Sequence, residues 1–198
     1  LPAMQDAYRI AQEAAPGIKM SLAGNYHKEL VDKIYDYCIA WKQQFTPDDL
    51  ALRNSKGWIS TSYTACPDAM PNVGSNNEPI EATYLPLYCL ANGFNGFLRW
   101  AWMNWTENPM YDSRFKLFTP GDTYIVYPGM HSSRRFEHII RGVQNVTKIE
   151  TLRKEYKQQK NLKALQQLEE TLSLFMNPTP NEAELKENIE KMEYLLNR

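Results

Sequence analysis

Four short runs rich in β-branched and aromatic residues, 18–23, 34–41, 58–65 and 97–102, are each separated from the next by a helix-like segment. This alternation is the strongest constraint on the fold, because strands spaced by helices call for a parallel sheet. The helices announce themselves by their punctuation. Residues 2–15 place Met4, Tyr8, Ala11 and Ala15 on one face and stop at Pro16-Gly17. Residues 28–33 make room for one short turn. Thr46 is placed to cap a helix that opens on Pro47-Asp48-Asp49 and ends near Ser55 at Lys56-Gly57. Residues 81–92 carry the stripe Tyr84, Leu87, Tyr88 and Ala91, and Asn92-Gly93 ends it. Ser132 can cap a helix with Phe136, Ile139, Ile140 and Val143 along one side. The spacing predicts a helical hairpin at the end of the chain. One stripe is Leu165, Leu168, Leu172 and Phe175; the other is Leu185, Ile189, Met192 and Leu196. Thr179-Pro180-Asn181-Glu182 is expected as the capping box between them. Four βα units make half of an eight-stranded barrel, or a small open sheet.

With 198 residues the chain can bury a sizeable core of its own. A net charge of -1 gives no electrostatic reason to expect nucleic acid or an anionic membrane as partner. No apolar run approaches a membrane span, and no signal peptide is recognised. Cys38, Cys66 and Cys89 lack metal-ligand spacing, so neither a metal nor a disulfide framework is expected.

The densest chemistry lies at residues 96–109, which hold Trp100, Trp102 and Trp105. As a strand, this stretch would put Leu98, Trp100 and Trp102 on one face and Arg99 on the other, where an ion pair is the favoured role for Arg99. Beyond Trp102 the pattern breaks into loop residues, among them Asn104, Glu107 and Pro109. Indoles stack on the flat apolar faces of sugars, and asparagine hydrogen-bonds hydroxyls and amides, so a pocket at this strand end fits a glycan. The alternative is that the tryptophans are ordinary core. Asn25 and His27 also fall just past a strand end, where sites of α/β folds collect. Ser60, Ser62 and Thr64 share one face of the third strand, which points to a polar interior or simply to β-propensity. Residues 66–80 form a long loop without periodicity, and 115–127 read as a short hairpin or loop turning at Pro120-Gly121-Asp122.

The run 96–109, then Gly121-Asp122-x-Tyr124-x-Val126-Tyr127-Pro128-Gly129 and Ser133-x-Arg135-Phe136-Glu137, resemble in order the C-terminal half of glycoside hydrolase family 123 catalytic domains. Met20–Asn25 and the loop from Tyr63-x-x-Cys66 to Pro71-Asn72 extend the likeness to about residues 1–150, leaving 151–198 as a helical tail. The resemblance implies an α/β fold that is the C-terminal half of a TIM-type barrel. It also implies release of N-acetylgalactosamine from β-linked glycans or glycolipids, without a cofactor. In that family the sugar's own acetamide oxygen attacks the anomeric carbon, with an adjacent Asp-Glu pair orienting it and supplying the acid/base. No Asp-Glu dipeptide occurs in the chain. The pair is therefore expected upstream of Leu1, with no catalytic residue here.

What the chain is expected to supply is a sugar-binding wall: Trp100, Trp102 and Trp105 for stacking, Asn104 for hydroxyls or acetamide, and Tyr63 as a hydroxyl donor to the acetamide oxygen. Asn25 and Asn72 are further loop candidates. The exposed edges of a half barrel call for the missing N-terminal half or for self-association. A periplasmic, cell-surface or secreted bacterial location follows from the resemblance alone. A non-catalytic carbohydrate-binding barrel and a structural or interaction protein are the alternatives.

Overall fold

The computed structural model describes residues 1–66, 68 and 70–197. Pro67 and Ala69, part of the loop expected at 66–80, lie outside the described residues. The described elements run α1 (Pro2–Ala14), β1 (Ser21–Gly24), β2 (Asp36–Ala40), α2 (Pro47–Ser55), β3 (Ile59–Tyr63), α3 (Glu81–Ala91), β4 (Gly96–Phe97), α4 (Arg134–Gln158), α5 (Leu162–Ser173) and α6 (Glu182–Leu196). The four strands form one parallel sheet in the order β1-β2-β3-β4. The alternation in the sequence therefore led to the right kind of sheet.

The sheet is covered on one face only. Tyr37 and Ile39 of β2 enter a core shared with Leu85, Leu87 and Tyr88 of α3. The opposite face carries Ser21, Ala23 and Ile59, which are exposed, Asp36, Thr61 and Tyr63, which are half-buried, and Cys38, which is buried between them. Helix α3 is buried on all sides from Glu81 to Cys89 rather than along a stripe, since the sheet, α4 and the tail all pack around it. The hydroxyl face of β3 points to the helices as well. Ser60 accepts the Arg53 Nε–H at 2.7 Å, and Thr64 donates to Asn72 Oδ1 at 2.9 Å. Arg53 is completely buried in α2, yet its guanidinium also reaches the carbonyls of Val31 and Ile34, both at 2.8 Å. These bonds replace the water that burial removes.

Two sequence expectations need correcting. The last strand is two residues long, not six: Leu98 N–H still bonds the Ser62 carbonyl at 2.9 Å, but then the chain leaves the sheet. Expected caps shift by a residue or more. Ser133, not Ser132, accepts from Phe136 N–H, and the second capping box is Asn181 with Glu184, so Pro180 precedes the cap. Helix α4 continues unbroken through residue 150 to Gln158. The tail packs into the same core: Phe175 lies 5.1 Å from the Tyr84 ring, and Trp41 Nε1–H donates to the Pro178 carbonyl at 2.8 Å.

Candidate functional site

The C-terminal ends of β1 to β4 lie along one rim of the sheet, and the segments leaving them carry most of the candidate residues. After β1, Asn25 is exposed, and its Oδ1 accepts from Gln43 Nε2 at 3.0 Å. The Gln43 carbonyl oxygen in turn accepts the Tyr26 N–H at 2.5 Å, so the loops after β1 and β2 are laced together by one side chain. Tyr37 locks the same loop from below, donating to the Asn25 carbonyl at 2.6 Å and accepting from His27 N–H at 2.8 Å.

Tyr63 closes β3 on the open face of the sheet. It is half-buried, and its hydroxyl makes no hydrogen bond among the described residues. Burial pushes its phenol up, and the neighbouring Cys38 and Asp68 add to the shift. The hydroxyl is therefore a proton donor across the neutral range. Asp68, two turns of chain further on, accepts from Ala65 N–H at 2.7 Å and lies 3.8 Å from Lys42 Nζ.

Asn72 has a different job. It is 3% exposed and every polar group is engaged: Nδ2 donates to the Ala65 and Asp68 carbonyls, Oδ1 accepts from Thr64 and Val73, and its N–H reaches Glu81 Oε2 at 3.0 Å. It has no donor left for a ligand. Instead it shapes the loop that follows Tyr63.

The three tryptophans part company, because the chain leaves the sheet after Leu98. Arg99 turns inward, where Nη2 pairs with Asp122 Oδ1 at 2.7 Å with both side chains buried. This is the ion pair expected for Arg99. Trp100 is 46% exposed; its indole N–H donates to the other oxygen of Asp122 at 3.0 Å, and its ring stacks on Phe118 at 5.2 Å. Trp102 faces the helices rather than sharing a face with Trp100. It meets Phe136 edge-on at 6.0 Å and lines an apolar groove of about 410 Å³ with Leu90, Phe97 and Val143. Trp105 is 42% exposed, its indole tied to the Val126 carbonyl at 2.8 Å. The Asn104 backbone N–H is held by the Thr123 carbonyl at 3.1 Å, which leaves its exposed side chain free to turn outward.

Gln43 has no signal in the sequence, and Asp122 reads there only as a turn residue inside the Gly-Asp-x-Tyr run. Gly121, with φ of +76°, lets the chain turn there. A Cβ at that position would meet Ser75 Oγ at 2.1 Å and Arg135 Nη1 at 2.8 Å. Arg135 clamps the same turn through the Gly121 carbonyl at 2.8 Å and the Tyr124 carbonyl at 3.1 Å. The run that marks the resemblance thus builds the support under Trp100.

Chemically, the rim offers a phenol without a hydrogen bond among the described residues, two half-exposed indoles held by their N–H groups, and exposed asparagines. A family model described as the glycoside hydrolase 123 catalytic domain matches residues 1–152. The chain belongs to glycoside hydrolase family 123. Among solved structures, a family 123 glycoside hydrolase from Clostridium perfringens, analysed for glycolipid glycan hydrolysis, is similar with a TM-score of 0.79 and 23% identity. The match covers 100% of this chain but 38% of that one, so this chain spans well under half of the length of its structural relative. None of the curated proteins matches. The likeness in fold extends over α5 and α6 as well, beyond the end of the family 123 match. Among the described residues, no helix is long and apolar enough to cross a membrane.

Proposed function

We propose that these residues are the C-terminal part of a barrel-type glycoside hydrolase that releases terminal β-linked N-acetylgalactosamine from a glycan or glycolipid. In this reading β1 to β4 are the last four strands of the barrel, and the open face of the sheet is closed by the remainder of the hydrolase. That remainder also brings the Asp-Glu pair, which this chain lacks. The observation that carries the reading is that Tyr63, at the end of β3, and the half-exposed Trp100, in the segment that leaves β4, both follow the same rim of the sheet.

The division of labour follows from those groups. The sugar's apolar face lies on Trp100, with Trp105 bordering the approach, and Asn104 and Asn25 meet hydroxyl or amide groups at the rim. The acetamide oxygen develops charge as it closes on the anomeric carbon, and the Tyr63 O–H, kept protonated, donates to it. Asn72 and Trp102 act from behind, as loop anchor and helix-side packing. A secreted or cell-surface setting suits a substrate of this kind.

The test is hydrolysis of a chromogenic β-N-acetylgalactosaminide by the intact protein and by its Tyr63→Phe variant. Removing one such donor is expected to lower kcat by about a hundredfold, with KM little changed. Hydrolysis by the intact protein that is indifferent to Tyr63→Phe would remove the hydroxyl from the mechanism. Glycan binding without hydrolysis would make this a carbohydrate-binding barrel instead.

A further inference from the structure

The excursion between β4 and α4 ends in a tight turn whose tip is apolar and fully in solvent. Phe115 and Phe118 form an isolated antiparallel bridge, closed by the Phe118 N–H bond to the Phe115 carbonyl at 3.0 Å. Lys116, at φ of +54°, and Leu117 make the bend. Leu117 is 99% exposed, and nearby in the same excursion Tyr111 is 94% exposed and Met110 is also in solvent. A single exposed leucine is ordinary. This one sits at the end of a built feature. The rings of Trp100, Phe118 and Phe115 stack in series, at centroid separations of 5.2 and 6.2 Å with interplanar angles of 29° and 27°. The row runs from the candidate sugar wall out to the tip, and the bridge holds Leu117 forward without any packing partner among the described residues. Lys116 Nζ lies 5.3 Å over the Phe115 ring, so the turn carries a cation on an aromatic stem beside its apolar point.

An apolar point flanked by aromatic rings and a long cationic side chain is the composition that settles at a lipid–water interface. The apolar group enters the acyl boundary, the rings lie at headgroup level, and the amine stays in water. We propose that the Phe115–Phe118 turn is a membrane-contact tip. It seats in the lipid surface that carries the substrate and holds the headgroup sugar against Trp100. This rests on the glycolipid reading given above. A glycan anchored in a bilayer projects only a short way from it, and a wall joined to the tip by three stacked rings stands at that height. The lipid anchor of the substrate, rather than a protein, is the occupant that this continuity selects.

The experiment is vesicle flotation of the intact protein and of Leu117→Asp. The vesicles are phosphatidylcholine with and without a glycosphingolipid ending in β-linked N-acetylgalactosamine. Among the described residues Leu117 is almost fully exposed, so Leu117→Asp is expected to keep the native structure, which circular dichroism checks. The bound fraction on glycolipid vesicles is expected to fall about tenfold or more, the effect of withdrawing one leucine side chain from an apolar phase. Hydrolysis of the embedded glycolipid should fall with it, while turnover of the soluble chromogenic glycoside stays unchanged. Flotation and embedded-substrate turnover that ignore Leu117→Asp, with soluble turnover intact, would overturn the tip and leave the hydrolase standing. Loss of flotation in a protein that turns over neither substrate would sustain the tip and sink the hydrolase. Self-association abolished by Leu117→Asp, without any flotation, would make the turn a contact between copies and also overturn the proposal.

Discussion

Asp122 receives the indole N–H of Trp100 at 3.0 Å while its other oxygen holds the buried guanidinium of Arg99 at 2.7 Å. Adjacent residues on the chain are thereby turned to opposite ends of one carboxylate. The outward ring of Trp100 is fixed by a buried charge pair.

Under the proposed function, Trp100 and Trp102 separate activity from stability. Trp100→Ala is expected to leave the melting temperature nearly unchanged and to lower kcat/KM of the intact hydrolase by about 1–3 kcal/mol, the stacking of one aromatic. Trp102→Ala removes packing against Phe136 and is expected to cost a few kcal/mol of stability instead. Thermal melts and steady-state kinetics on both variants check this. Equal kinetic losses with equal melting temperatures would place both rings at the sugar.

The tail gives a prediction about cooperativity. Phe175 is fully buried against Tyr84, whose hydroxyl donates to the Asn177 carbonyl at 2.9 Å, and Ile149 and Ile189 join the same cluster. Phe175→Ala should destabilise the protein by about 3–5 kcal/mol. The loss should lower one unfolding transition shared by sheet and tail. Calorimetry showing two transitions, with only the smaller one shifted, would mean that the tail folds independently.

How much of this was legible in the sequence depends on what each signal reports. Periodicity and caps report local geometry, so α1, α2 and α3 and the order of the parallel strands were readable from residues such as Pro47, Asp49 and Gly93. The end of β4 was not. Phe97 to Trp102 is apolar enough for a strand, but Arg99 finds Asp122 23 residues away, and that distant bond pulls the chain off the sheet edge. Side-chain facing then changes, and with it the roles of Trp100 and Trp102. Asn72 was hard to read for the same reason: an asparagine in a loop looks available until its partners Thr64, Ala65 and Glu81 are in place. Family likeness supplied the hydrolase, and the residues alone offered only a possible glycan pocket.

Gly142 sets two effects against each other. In the middle of α4, alanine is favoured over glycine by about 1 kcal/mol of helix propensity. Here, however, a Cβ would lie 2.6 Å from the Thr83 carbonyl and 2.9 Å from Pro86 Cγ of α3. Backbone on the facing helix cannot yield as a flexible side chain would. Overpacking of this kind costs about 1–3 kcal/mol, so Gly142→Ala should be net destabilising. Urea unfolding gives the sign, and a stabilised variant would show that α3 and α4 have slack between them.

Asp49 should make the fold sensitive to acid. Burial alone would raise its pKa, but hydrogen bonds from Lys28, Tyr26 and Thr46 outweigh that and bring it down to about 2. The folded state therefore binds this proton less readily than the unfolded chain, whose carboxyl has its ordinary value of 3.8. The stabilisation is complete above about pH 4 and is lost as pH falls toward about 2, amounting to about 2 kcal/mol across that window. Asp49→Asn cannot titrate. Its stability relative to the native chain should show a deficit at pH 6 that narrows by about that amount by pH 2, read as urea midpoints at each pH. A deficit that stays constant through the window would show that the carboxylate of Asp49 titrates alike in the folded and unfolded chains.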